Sequence, residues 1–180
     1  KLEEIGNSGR VPFIKLPKGY PPRCAAPYMF FILLRFFEDF GLTQPKTSEV
    51  QALVDYLMKS DLKEYAQNLS QKLYGKIPLI YASKLFYPIA YRWKTQFNEN
   101  AKTMAFSASI PEMNHNEILG FENKNAVVQV IIIATDEDTA RMRKRIIVTK
   151  EMLQKQNVDV TELNIKGNFG EINTQFLVDH

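Results

Sequence analysis

The chain has 180 residues, enough for one domain with a sizeable core and short for two. Its 23 Lys and Arg against 20 Asp and Glu leave a net charge of +3, and no basic run is interleaved with aromatics. That balance argues against a nucleic-acid partner and suits an anionic small molecule. Cys24 is the single cysteine, so an internal disulfide and a zinc cluster are excluded. A small buried thiol on a helix fits the pattern, as does a reducing, cytoplasmic setting.

From the amino end, the chain opens on "KLEEIGNSG" without a methionine and stops at "FLVDH" inside what reads as a helix, which predicts a domain cut from a longer polypeptide. "GNSG" (6–9) has the composition of a loop, and "VPFIKLP" (11–17) reads as a first strand. "RCAAPYMFFILLRFFEDFG" (23–41) is apolar nearly all round and ends at Gly41, which predicts a buried helix with a glycine cap. Its apolar core is too short, and too clearly broken by Arg35, to span a bilayer, and it lacks the flanks of a signal peptide. Arg23 stands after a Pro-Pro turn where the chain enters this helix. A guanidinium there can face strand ends and hold an oxyanion, or it can pair with a carboxylate.

Residues 43–75 read as a helical hairpin with breaks at Thr47-Ser48 and Ser60-Asp61. Ser48 is its expected N-cap, and Val50, Leu53, Val54 and Leu57 form its stripe. Further strands are expected at "IPLIYAS" (77–83), "TMAFSAS" (103–109), "AVVQVIIIAT" (126–135) and "VDVTELNI" (158–165). The third of these is β-branched almost throughout, as a central strand covered on both faces requires. "DEDTARMRKRIIVTKEMLQKQN" (136–157) is amphipathic, with an acidic start and a basic body that suit the helix dipole. Strands alternating with helices predict a three-layer α/β sandwich with a parallel sheet of about five strands. In such sheets ligands gather at the carboxyl ends of the strands.

The polar stretch between the strands expected at 77–83 and 126–135 carries the candidate chemistry. Reading 85–103 as a helix from Pro88 puts Ile89, Trp93, Phe97 and Ala101 on a buried stripe, and Arg92, Gln96, Glu99 and Thr103 on another face. Glu99 then sits at the end of a rigid element, a suitable mount for a general base. The same residues also permit an exposed Glu99 paired with Lys102 three positions on. Beyond the next strand, Asn114 followed by Glu117 resembles a capping box, which would place His115 in a first helical turn, where the dipole favours neutral imidazole. Such a histidine can exchange protons near neutrality, or it can be a structural residue bonded to a nearby carbonyl. "KGNFG" (166–170) lacks phosphate-loop spacing, and no spacing of metal ligands is present.

The run "YRWKTQFNENAKTMAFSASIPEMNHNEILGF" (91–121) resembles the C-terminal half of the bifunctional phosphoglucose/phosphomannose isomerases of archaea and some bacteria. The similarity continues upstream through "SGRVPFIKLPKGYPPRCAAPYMF", and "GEINTQFLVDH" is similar to the start of that family's last helical region. The family is built from two sugar isomerase (SIS) domains. The resemblance implies that residues 1–180 form a single SIS-type, flavodoxin-like domain, the C-terminal half of a two-domain isomerase. It implies that Glu99 moves the proton between C1 and C2, that His115 assists ring opening across a homodimer interface, and that Arg23 stabilises the enediolate.

Glucose 6-phosphate or mannose 6-phosphate would be interconverted with fructose 6-phosphate, without metal or other cofactor. Asn98, Asn100, Asn114 and Asn116 would orient these groups or the sugar hydroxyls. The family's phosphate-binding loop lies in its first SIS domain, and a lysine it supplies from its final helix would fall beyond His180. The isolated chain is therefore expected to have little or no activity. A second reading is a non-catalytic SIS-type module that binds a phosphosugar and regulates a partner. A flavodoxin-like binding domain is disfavoured, because no phosphate-cradling loop follows the first strand.

Overall fold

The apolar run predicted at 126–135 forms the strand Val128–Thr135, buried at every position but the first. In this computed structural model, which describes residues 1–9, 12–21, 25–59 and 62–165, it is one of four strands. These are β1 (Ile77–Ala82), β2 (Phe106–Ser109), β3 (Val128–Thr135) and β4 (Asp159–Ile165). They pair in the order β2-β1-β3-β4, every pair parallel. Parallel neighbours need long crossovers, and helices supply them on both faces.

Alternation along the strands divides the core in two. On one face Ile80, Ala82, Ile131 and Ile133 pack beneath α4 (Leu62–Leu73) and α5 (Tyr87–Glu99), which contribute Leu69, Leu73, Ile89 and Ala90. On the other face Tyr81, Val130, Ile132 and Ala134 lie under α6 (Ile110–Met113), α7 (Glu117–Gly120) and α8 (Ala140–Lys155). The last of these contributes Ile146 and Leu153. The three-layer α/β expectation is met, with four strands in place of about five.

The described residues divide into two compact units, those up to 46 and those from 47 to 165. In the first, α1 (Leu2–Gly9) runs through the "GNSG" expected to be a loop, and the described part of the expected first strand, 12–17, is not a strand. Pro12 and Pro17 have no N–H to give a ladder. The segment is held to α1 by side chains instead. The ring of Phe13 covers Gly6, where a β-carbon would come within 2.5 Å of it, and Lys15 Nζ lies 2.8 Å from Glu3 Oε1.

The helix α2 (Ala26–Asp39) ends as expected, with Gly41 in the left-handed region at φ +67°. Arg35 is accommodated by Asp39 at 2.8 Å. The expectation of a buried helix is not met, since α2 carries no buried residue. A helix apolar all round needs neighbours on every side, and a unit of 46 residues has too little surface to provide them. Arg23 and Cys24 lie outside the described residues.

The second unit begins with α3 (Thr47–Lys59), whose first residue precedes Ser48, so Ser48 stands inside the helix and its hydroxyl donates to Glu49. Of the expected stripe, Leu53 is buried, while Val54 is exposed. At the amino edge of the sheet, Lys76 Nζ reaches Asp159 Oδ2 (2.6 Å) and donates to Gln129 Oε1 (3.1 Å). Gln129, itself buried, donates through Nε2 to the Asp159 carbonyl (3.1 Å), so one polar chain ties β1, β3 and β4 together.

The Lys76 ammonium holds the Asp159 carboxyl below its ordinary value, by hydrogen bond first and charge second. Folding thus favours the carboxylate. The contribution is complete above the ordinary aspartate range and fades as pH falls through the lowered folded value. Titration of Asp159 by NMR is expected to show a depressed midpoint that Lys76→Gln returns upward; an unmoved midpoint would remove this pairing from the account.

Candidate active site

Because β1 and β2 are parallel, the crossover helix between them runs back against the strand direction. α5 therefore starts past the carboxyl end of β1 and delivers its last residue, Glu99, to the amino edge of the sheet. Pro88 stands in its first turn, where a missing N–H costs nothing. Ile89 and Ala90 are buried, and Trp93 and Phe97, in edge contact with ring centroids 6.3 Å apart, pack against the same core. Ala101 is exposed because the helix has ended before it. Gln96, expected on a face other than the buried stripe, is buried too and lies between Arg92 and Asn100, with which its amide bonds.

The loop after Glu99 is closed by the Asn-rich sequence itself. Asn98 Oδ1 accepts from the buried Ala105 N–H at 2.9 Å. Asn100 is the C-cap, its own N–H bonded to the Gln96 carbonyl at 2.8 Å. Lys102 takes φ +53° and donates from Nζ to the carbonyl oxygen of Glu99, not to its carboxylate. Among the described residues no cation pairs with the Glu99 carboxylate, so the alternative i, i+3 ion pair is absent and the exposed carboxylate projects from the end of α5.

His115 lies elsewhere. The chain passes through β2 to its carboxyl end, then into α6 and α7 on the opposite face from α5. β2 alone spans roughly 13 Å at the usual strand rise. His115 occupies the turn 114–116 between those helices, exposed, with its backbone N–H bonded to the Glu112 carbonyl at 2.9 Å. The helix cap is Asn116 and not Asn114. Its side-chain oxygen accepts from the Glu117 N–H, so His115 precedes the helix and is not in its first turn. Asn114 does different work, donating from Nδ2 to Thr149 Oγ1 on α8 (2.8 Å) while its oxygen faces Arg145 Nη1 at 3.5 Å. On the other flank Glu117 Oε2 accepts from Tyr81 OH at 2.9 Å. Burial, reinforced by that carboxylate, pushes the Tyr81 hydroxyl far above its ordinary value, so it stays a donor at every physiological pH.

The strand order reverses between β1 and β3, the place where such sheets bind ligands. There the turn after β3 is closed on itself. Asp138, buried, accepts from the Thr135 N–H at 2.9 Å, and Thr139 caps α8 by accepting from the Met142 N–H. Two cavities lie away from that point. One of about 730 Å³ at the amino edge is walled by Leu69, Trp93, Phe97, Asn100 and Thr103. One of about 550 Å³ on the other face includes Tyr81, Phe106 and Glu117. Neither is lined by Glu99 or His115. One copy of the chain thus fixes Glu99 beside Asn98 and Asn100, fixes His115 beside Asn114, and does not join the two groups. Among the described residues there is no cluster of metal-ligating side chains, and no helix long and apolar enough to cross a membrane.

This sheet with its crossovers defines an α/β domain of the three-layer, parallel-sheet class. The C-terminal domain of glucosamine-fructose-6-phosphate aminotransferase from Francisella tularensis has the same fold (TM-score 0.51, 18% identity, covering 73% of this chain and 42% of that one). So does a protein of E. coli CFT073 (TM-score 0.51, 21% identity, 82% and 70%). The particular family follows from sequence. The family model described as the bacterial phospho-glucose isomerase C-terminal SIS domain matches residues 62–173, and the chain belongs to that family.

The bifunctional phosphoglucose/phosphomannose isomerase of Thermoplasma acidophilum is 34% identical over 155 residues, covering 84% of this chain and 47% of that protein. That of Caldicellulosiruptor bescii is 32% identical over 183 residues (93% and 53%). A D-glucosamine-6-phosphate 4-epimerase of Sulfolobus acidocaldarius is 37% identical over 148 residues (79% and 47%). The chain spans about half the length of these curated relatives.

Tyr81 and Thr149 escape the sequence reading. Each is a polar residue at a core position, Thr149 on the α8 stripe with Ile146 and Leu153, and that mismatch is the available signal. Replacing Asn98 by Ala leaves the buried Ala105 N–H without its acceptor. Chemical denaturation is expected to show a loss of about 1–3 kcal/mol; a change within error would mean the loop closes without this bond.

Proposed function

We propose that the chain is the C-terminal SIS domain of a two-domain, cytoplasmic aldose–ketose isomerase acting on glucose 6-phosphate, mannose 6-phosphate or both. The observation that carries the reading is Glu99, a carboxylate with no cation partner among the described residues, held at the end of a helix anchored by Trp93 and Phe97, in a chain of the phospho-glucose isomerase family. In the open-chain aldose the C2 proton is weakly acidic because the adjacent carbonyl accepts the electron pair. Glu99 removes it, giving an enediolate, and returns it to C1, yielding fructose 6-phosphate. One carboxylate performs both transfers when both carbons lie within hydrogen-bond reach. Arg23 stabilises the negative oxygens during the transfer.

The sugar ring must open first, and an imidazole suits the ring oxygen because it gives and takes protons near neutrality. Glu99 and His115 of one chain belong to opposite faces and opposite edges of the sheet. The reading therefore joins Glu99 to the partner subunit's His115 in a homodimer. Asn98 and Asn100 hold the base loop, Asn114 holds the histidine turn, and the amino-terminal SIS domain supplies the phosphate site.

In the two-domain polypeptide, Glu99→Gln is expected to lower isomerisation at least about a thousandfold, a loss suited to a group acting only in the transition state, with substrate binding nearly unchanged. The isolated 180-residue chain should show little or no turnover of fructose 6-phosphate. Surviving activity in the Gln variant would remove Glu99 as the base, whereas binding of the sugar phosphate without turnover in the unaltered two-domain polypeptide would favour a phosphosugar-binding regulatory module. The relative named D-glucosamine-6-phosphate 4-epimerase supports a second reading, C4 epimerisation of an amino sugar phosphate. Product analysis with glucosamine 6-phosphate beside glucose 6-phosphate separates the two.

A further inference from the structure

We propose that Tyr81 and Thr149 are positioning residues for His115, gripping its turn from both flanks; this rests on the reading of His115 as the ring-opening group. The turn is a poor mount by itself. It spans three residues between helices of four residues each, and its ring is exposed. Two bonds to core elements straddle it. One position before His115, Asn114 Nδ2 donates to Thr149 Oγ1 at 2.8 Å, and that hydroxyl donates its only proton to the Arg145 carbonyl at 2.8 Å. The Thr149 oxygen is thereby committed to accepting from Asn114, and the direction of the bond is fixed. Two positions after His115, the Glu117 carboxylate accepts from Tyr81 OH at 2.9 Å.

The two anchors are almost completely inaccessible, 2% for Thr149 and 1% for Tyr81, and Tyr81 stands within the apolar cluster to which Ile146 and Leu153 of α8 also belong. Filling those positions with apolar side chains would meet the needs of the core. A hydroxyl there carries a desolvation cost, which one well-placed acceptor or donor offsets without a large net gain. What the polar choice adds is direction. Met113 and Ile118, buried on either side of the turn, hold it down, and the N–H groups of Asn114 and His115 bond back to the carbonyls of Ile110 and Glu112. The two side-chain hydrogen bonds, one to α8 and one to β1, tie the residues flanking His115 to fixed core elements and thereby set where the imidazole points.

The test uses the two-domain polypeptide and isolates ring opening. The α and β anomers of glucose 6-phosphate interconvert only through the open chain, so enzyme-catalysed anomer exchange, read by NMR exchange spectroscopy, reports that step without proton transfer at C2. Thr149→Val and Tyr81→Phe are each expected to slow it about tenfold, the low end of what is lost when a reactive group loses the partners behind it, and Thr149→Ser to restore it within about twofold. Affinity for glucose 6-phosphate should stay unchanged in all three. Wild-type exchange in both variants, with exchange abolished by His115→Ala, would overturn the positioning while leaving the role of His115 intact. Unchanged exchange in His115→Ala would overturn the role of His115 and the inference with it. Loss of affinity together with exchange would mark a collapsed site and also overturn the proposal.

Discussion

The parallel pairing of β1 with β2 constrains everything else in the second unit. A parallel neighbour obliges the chain to travel back the full length of the strand before it can pair again. α5 makes that return, and its end is therefore at the amino edge, wherever its sequence places a reactive group. The following strand then carries the chain forward, and the next polar loop falls at the carboxyl edge on the opposite face. Glu99 and His115 are only sixteen positions apart, yet β2 and the change of face after it separate them by a strand length and a sheet thickness. No local rearrangement of side chains can join them within one copy.

The abundance of asparagine between 98 and 116 has a physical explanation in these loops. A loop at the rim of a parallel sheet leaves backbone N–H groups that no ladder satisfies, and water cannot reach the buried ones. Asparagine offers an acceptor and two donors on a short stem, so it can close a loop without adding bulk or charge. Asn98 satisfies the buried Ala105 amide, Asn116 caps α7, and Asn114 bonds outward to α8. A lysine in these places would lack the acceptor, and a serine would offer a single proton on a shorter stem. The amides thus act on the protein that carries Glu99 and His115, which leaves those two side chains exposed and supported from behind.

Much of this was legible in the sequence because it rests on periodicity. The run from Val128 to Thr135 reads as a doubly covered strand, and Ile89, Trp93 and Phe97 read as one side of a helix, and both hold. The failures occur where a tertiary contact decides. Nothing local tells that Phe13 presses on Gly6 within a helical "GNSG", whereas Pro12 and Pro17 are visible in the sequence and outweigh the apolar run around them. The choice of Asn116 over Asn114 as cap was equally hidden, since either satisfies the local rule, and Thr149, 35 positions away, claims the other. The family resemblance carried the chemistry and the roles, and the coordinates add the loops on which those roles would rest.

Splitting a base and an imidazole between two edges of one sheet has a mechanistic consequence under the proposed reading. Ring opening needs a proton donor near the ring oxygen, and enolisation needs a carboxylate over C1 and C2. If both groups sat in one rigid loop, any shift that improved one distance would disturb the other. Mounted on separate elements, the Glu99 loop is fixed by α5 and the start of β2, while the His115 turn is fixed by β1 and α8. Each can be held to the fraction of an ångström that proton transfer requires, and their mutual distance is set by how two copies of the domain associate. The geometry of association then becomes part of the active site, which is why the precision of each mount matters more here than burial of the groups themselves.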